Sequence, residues 1–340
     1  MLRRMLLLAM LCLALAPSAA LACGIPLNAR IPAEQSLIIF GGGRQQIITT
    51  MQLDIDQPGA AVVLPVPGDP EVDQPAGGDE LFGYLEEATK PLRVVERRIV
   101  WRWDDGATSA GAPGGAGVNV LGRETLGGYD VARLAADDPQ ALAQWLADNG
   151  YEVPAPAQST LDSYIADGWR FVAIKLADAA AQGGSLSPLR VSFPAQEMVY
   201  PMRLAALADA PLDLQLYVLS DHRVRTDNLT TRFAGPLASL SPAPTGDLAA
   251  LVTGAPYLTK LRNEQLSPQV VTGDFVLSNA PSDEPYRETY TVYDDISGYA
   301  VFGPAVCLGV AISLGALGLA LWLRRRFRIV AEQRSAPPAS

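Results

Sequence analysis

The sequence predicts an α+β fold, mainly antiparallel sheet with a few short capped helices, followed by one C-terminal transmembrane helix. Three observations lead there. Extended apolar runs dominate, in the order strands, helix, strands, two helices, strands, without the βαβ alternation of a parallel sheet. The first 22 residues carry an export signal. Residues 296–323 hold no charge, and four arginines follow within five positions.

The chain opens MLRRMLLLAMLCLALAPSAALACG. Arg3 and Arg4 form a positive head, a Leu/Ala run follows, Pro17 breaks it, and Ala20-Leu21-Ala22 fits the small-x-small cleavage rule. Residues 1–22 therefore read as a signal peptide cut before Cys23. Of three cysteines, Cys12 leaves with the signal and Cys307 falls in the apolar run. Cys23 is then the only exported thiol, with no partner for an intrachain disulfide. Its place at the cut raises three fates: lipidated, free or cross-linked between chains. Lipoprotein signals usually place Leu three residues before the cysteine, where this chain has Ala20.

The exported part, residues 23–295, begins with strands. SLIIFGGGRQQIITTMQLDI holds two extended runs around Gly41, Gly42 and Gly43, a hairpin signal. AAVVLPVPG is a strand whose Pro65 and Pro67 belong at an edge or exit. DELFGYLEEAT reads as a helix capped by Asp79, burying Leu81, Phe82, Leu85 and Ala88. LRVVERRIVWRW is a strand with alternating charge. Residues 104–117, rich in Gly and Ala, form a loop that divides the region into candidate lobes 23–103 and 118–295. Its glycines do not open a helix after a strand, so they make no phosphate cradle.

YDVARLAA is the next strand. In DDPQALAQWLADNGY, Asp138 caps a helix, Pro139 suits its first position, Leu142, Trp145 and Leu146 share a face, and Asn149-Gly150 stop it. STLD at 159–162 reads as a capping box with Ser159 as the cap, and Asp167-Gly168 ends that helix. WRFVAIKLA, LRVSF, YPMRLAALA and LDLQLYVLS are four further strand candidates. A helix is expected within residues 247–261, and QVVTGDFVLSNA is a late strand.

A membrane span needs about 20 apolar residues. Residues 304–323 supply 20, about 30 Å of helix at about 1.5 Å per residue. Pro304 fits a first helical turn, and Tyr299, Phe302 and Trp322 fit the two interfaces. Arg324, Arg325, Arg326 and Arg328 stay on the cytoplasmic side, so the domain at 23–295 faces outward and the tail at 324–340 inward. Ala305, Gly309 and Ser313 recur every four residues, a small-residue stripe through which two spans would self-associate. With signal and tail removed, 19 basic and 35 acidic residues leave the exported part at −16. Such a surface disfavours nucleic acid and anionic lipid.

No catalytic set emerges. The single histidine, His222, stands beside Ser220 and Asp221, but neighbours along a strand point to opposite faces. One His and one exported Cys make a poor zinc set. Calcium is the one metal reading: Asp69, Glu71, Asp73 and Glu80 occupy positions 1, 3, 5 and 12 of a twelve-residue loop before a helix. Gln74 stands where that loop needs Gly, and a strand precedes it. The carboxylate pairs Glu86-Glu87, Asp104-Asp105 and Asp283-Glu284 read as solvated faces, with none singled out for glycoside chemistry. Trp101 and Trp103 share a strand face and suit a sugar platform better than Trp145 and Trp169, which fit core positions. No cofactor is expected.

Six segments, VVLPVPGDPEV, LFGYLEEATKP, YDVARLAADDPQALAQWLADNGYEVP, GWRFVAIKL, LSPLRVSFPAQEMVYPMRL and YVLSDHRV, together resemble, in this order, the bacterial DUF2330 family, a domain of unknown function. The resemblance covers most of residues 23–300. It implies an export signal, a large extracytoplasmic region and often a C-terminal membrane helix, with no activity, ligand or catalytic residue. It also implies a second cysteine shortly after the first; CGIPLNARI lacks one and departs from the family there. The expectation is a membrane-anchored extracytoplasmic binding or interaction module without enzymatic activity, the alternative a carboxylate-based cell-surface hydrolase.

Overall fold

The computed structural model describes residues 24–27, 29–55, 60–100, 129–136, 138–151, 153–176, 187–297, 308 and 310–325. The expected signal peptide, the loop at 104–117, Trp101, Trp103, Asp104, Asp105, Cys23, Ala305, Cys307, Gly309 and the tail from 326 lie outside them. The chain divides into two compact units, Met1–Pro91 with Pro113–Glu288, and Leu92–Ala112 with Thr289–Ser340.

The first unit is built on three sheets. Its strands are β1 (Ile25–Leu27), β2 (Ala29–Gly41), β3 (Arg44–Ile55), β4 (Ala61–Val66), β5 (Glu71–Asp73), β7 (Tyr129–Leu134), β8 (Arg170–Leu176), β9 (Leu189–Pro194), β10 (Met198–Tyr200), β11 (Leu212–Ser220), β12 (Val224–Arg225), β13 (Thr230–Pro236), β14 (Tyr257–Leu266), β15 (Phe275–Asn279) and β16 (Tyr286–Arg287); β6 (Leu92–Val100) and β17 (Thr289–Ser297) belong to the second unit. The large sheet runs β16-β13-β14-β11-β2-β3-β9-β5. Its pairs are antiparallel except β2 with β11, which run parallel from Asp213↔Ala33 to Leu219↔Ile39. This sheet takes β2 and β3 from before loop 104–117 and β9 and β11 from after it, so the candidate lobes share one sheet. The smaller sheets run β1-β4-β8-β7 and β10-β15-β12.

Residue period decides which face each strand buries. In β4 and β8 both faces are covered, which is why both sequences are near-continuous apolar runs. Val62, Leu64, Val172 and Ile174 meet Ile38, Ile47 and Met51 of the large sheet. Ala61, Val63, Phe171 and Ala173 turn the other way, under α2 (Pro139–Asp148) and α3 (Ala155–Ala166). The far face of the large sheet, with Leu37, Ile48, Leu219 and Leu258, is covered by α1 (Gly78–Thr89) and α4 (Gly246–Leu251). Helices thus flank two stacked sheets, and each fully buried Leu or Val contributes about 1.5–3 kcal/mol. Pro65 is tolerated in β4 because β1 pairs only with residues 61–63 there. Gly24 has no room for a side chain: an added Cβ would lie 2.7 Å from Val62 Cγ1.

Local signals met mixed outcomes. Asp138 caps α2 by accepting from Gln140 N at 3.0 Å, and Gly150 takes φ 76° beyond its end. Asp79, by contrast, lies in the first turn of α1: the cap is Gly77 at φ 74°, and Gly78 N reaches Pro75 O. Ser159 lies inside α3, which starts after Pro154 and holds Pro156 in its first turn, where proline's fixed φ suits a helix start. YPMRLAALA is strand only at its beginning, since Arg203–Leu207 turn as a 3-10 helix. The helix expected within 247–261 is confined to α4, and β14 begins at Tyr257.

The second unit holds a ribbon in which β6 and β17 pair in parallel, Thr289↔Leu92 to Ser297↔Val100. Of the expected span, residues 308 and 310–323 are described; 310–325 are helical and exposed throughout. Among the described residues no helix is long and apolar enough to cross a membrane.

Candidate functional site

The charged cluster of greatest chemical interest lies at the C-terminal end of α1, on the far face of the large sheet. Alternation along β11 puts Asp213, Gln215 and Tyr217 on one face, and register brings them beside Arg262 and Lys260 of β14. Helix α1 covers the apolar half of that face and sends Glu86 to the polar half. Glu86 Oε2 accepts from Lys260 Nζ at 2.7 Å, Tyr217 OH at 2.9 Å and Gln215 Nε2 at 3.1 Å. Lys260 Nζ also sits 5.4 Å from the Tyr217 ring centroid.

The electrostatics follow from this geometry. Burial works against the Glu86 carboxylate, but the hydrogen bond and charge of Lys260, helped by Tyr217 and Gln215, hold its pKa below 4.5. Burial pulls the Lys260 ammonium below its ordinary value while Glu86 opposes the fall. Tyr217 is pushed well up, by burial first and the Glu86 charge second, and so stays a proton donor. Next along the sheet, Arg262 grips Asp213 through two bonds of 3.0 and 2.7 Å. Arg262 and Arg232 also flank Glu264 at 3.5 and 3.8 Å, and Arg232 reaches Glu288. The result is a line of alternating charges across three strands. Within it the charges neutralise one another.

Two other polar clusters bind layers together. Glu34, Ser36 and Thr49 are buried on the inner face of the large sheet, where Tyr200 OH donates to Glu34 Oε1 at 2.5 Å. Gln45 pairs with a backbone as a strand would, giving Nε2 to Val199 O at 2.6 Å and taking Val199 N at 3.0 Å. Arg203 stacks 4.3 Å from the Tyr164 ring centroid and bonds Asp274 at 2.8 Å, while Trp169 packs 4.7 Å from Tyr164.

The residues singled out in sequence are mostly scattered. In the candidate calcium loop, β5 runs through Glu71 and Asp73, and each candidate ligand but Glu80 meets an arginine. Asp69 pairs with Arg170, Glu71 with Arg44 and Asp73 with Arg190, while Glu80 sits in the first turn of α1. Among the described residues no three His, Cys, Asp or Glu side chains gather to hold a metal. Glu86 and Glu87 diverge, the second pairing with Lys90. His222 Nδ1 meets Asp283 Oδ2 at 2.8 Å, but Ser220 Oγ turns to His222 O instead of the ring. Trp145 stacks on Tyr151 at 5.9 Å, and Trp169 is buried. The described residues include two open polar depressions. One of about 400 Å³ includes Arg44, Glu71, Asp73 and Arg190 in its lining, and one of about 550 Å³ lies around residues 74–80 with Ser187 and Pro188.

Sequence reasoning missed Lys260, Tyr217, Gln215, Arg262 and Asp213. The available signal was polar residues alternating with apolar ones in two strands, LDLQLYVLS and YLTKLRNEQL.

A family model described as an uncharacterized protein conserved in bacteria, DUF2330, matches residues 17–278. The chain belongs to this family. In DUF2330 terms, the match takes in most of the first unit and all of the charged cluster except Glu288. No curated protein matches the chain. Among solved structures it is similar to baculovirus P35, at TM-score 0.36 and 10% identity, covering 75% of this chain and 98% of that one. It is also similar to a mutated baculovirus P35 after caspase cleavage, at TM-score 0.32 and 7% identity, covering 73% and 97%.

Proposed function

We propose that this DUF2330 member is a single-pass, membrane-anchored extracytoplasmic module that works by recognition of a partner. One observation carries the reading: the described residues of the C-terminal helix before its arginines are apolar on every side, apart from Ser313, and exposed. Leu308, Ile312 and Leu314 are each more than 60% exposed, and Leu317, Leu319 and Leu321 more than 55%. A helix hydrophobic all round belongs in a core or a bilayer. Arginines 324, 325, 326 and 328 set its cytoplasmic end. The signal sequence supports the same orientation, and the excess of 35 acidic over 19 basic residues in the exported part supports recognition of a partner.

The test is fractionation of cells expressing the full chain, followed by protease treatment of intact spheroplasts. Retention in the membrane through salt and alkaline washes is expected, with the large domain digested and the tail protected. Release by salt, or digestion of the tail alone, overturns the reading.

A further inference from the structure

We infer that the β6–β17 ribbon is an assembly surface on which the basic β6 edge of one copy of this chain receives the acidic β17 edge of another. Nine residues of each strand pair in parallel, and among the described residues neither outer edge has a further strand. Parallel sheets are normally covered on both faces, and a two-stranded ribbon alone is marginal in water. Among the described residues this one is covered on neither face: Leu92, Val94 and Tyr293 on one, and Val95 and Tyr290 on the other, are each 41–52% exposed. An uncovered edge about 30 Å long is a template for another strand.

Charge selects the occupant. β6 carries Arg93, Arg97 and Arg98 against Glu96, a net of +2; β17 carries Asp294 and Asp295, a net of −2. Two β6 edges repel, and so do two β17 edges. A β6 edge and a β17 edge attract, which makes the contact head-to-tail. The ribbon already holds this chemistry within one chain: Arg97 lies 3.4 Å from Asp294, and the Arg98 guanidinium 4.4 Å from the Tyr293 ring centroid. The occupant must also run parallel, as copies anchored in one membrane with one orientation do. That last clause rests on the proposed anchoring; the edge pairing does not.

The test uses the full chain in native membranes, carried as two differently tagged copies. A photo-crosslinking residue at Val94 or Val95 should give an adduct containing both tags. Arg97→Asp in both copies, or Asp294→Arg in both, should reduce co-purification of the tags about fivefold. Pairing an Arg97→Asp copy with an Asp294→Arg copy should restore it. A collapsed ribbon would not be rescued that way, so restoration separates lost pairing from lost folding. Adducts with another protein only, no adduct, or failure of the mixed copies to recover overturns the inference. An alkaline wash of the same membranes keeps the two readings apart. Release with the two-tag adduct intact sinks the anchoring and leaves the ribbon; retention without the adduct sinks the ribbon alone.

Discussion

Lys260 and Glu86 form one ion pair across a boundary of burial: the lysine side chain is 4% exposed and the glutamate 47%. The two are therefore unequal. Removing Glu86 leaves a buried ammonium and the Tyr217 hydroxyl without its acceptor, while Gln215 keeps its bond to that hydroxyl at 2.8 Å; removing Lys260 leaves a carboxylate that water reaches. Glu86→Ala is expected to cost about 2–3 kcal/mol and Lys260→Met about 1 kcal/mol or less. The double variant should recover most of the loss. Urea unfolding of the detergent-solubilised full chain, followed by tryptophan fluorescence, measures all three.

The same pair sets an acid limit. The Glu86 pKa is held below 4.5 in the folded protein, so its contribution is complete above that value and is lost as pH falls through the lower folded value. As pH falls below 4.5 the wild-type urea midpoint should fall more steeply than that of Glu86→Gln. Parallel curves would contradict this.

Gln45 replaces a strand by a side chain. Gln45→Ala removes both bonds to Val199 and leaves a buried carbonyl and N–H unpaired, at a cost of about 2–3 kcal/mol. Hydrogen exchange should show faster amide exchange at residues 198–200 while the β2–β3 hairpin keeps its protection.

His222 reports on its partner. The hydrogen bond to Asp283 comes first, and the carboxylate's charge second, in raising its pKa above 6.5. The interaction is present in full below that value and is lost as pH rises through the folded value. As the chain's single histidine, it gives one imidazole signal by NMR. Asp283→Asn should shift its titration downward, and an unchanged midpoint would mean that the bond is absent in solution.

Calcium should leave the protein unchanged. The carboxylates of Asp69, Glu71 and Asp73 are each engaged by an arginine on another strand. Millimolar calcium is expected to leave the melting temperature where it is, and a rise of several degrees, abolished by Asp73→Asn, would show a site after all.

What was legible in the sequence was local. Asp138, Pro139 and Gly150 define α2 because cap, first turn and stop lie within thirteen residues. The start of α1 was misplaced because Gly77 adopts a left-handed conformation that no side-chain signal announces. Ser159 misled because Pro154 and Pro156 had already begun α3. The charged cluster was beyond local reading: Glu86, Tyr217 and Lys260 come from a helix and two strands far apart in the chain, and only register joins them. The mixed character of the large sheet was hidden for the same reason, since alternation gives a strand's faces but not its neighbour's direction.

The parallel pairing of β2 with β11 also dictates an order of events. Residues 33–39 cannot find residues 213–219 until the ribosome has made both, and at about 5–20 residues per second that delay is about ten to forty seconds. Through that interval the β2–β3 hairpin has no lasting neighbour on its β2 side. A nascent chain of this kind is a natural client for holding factors, and its early strands, more than its finished surface, set how safely it can be made.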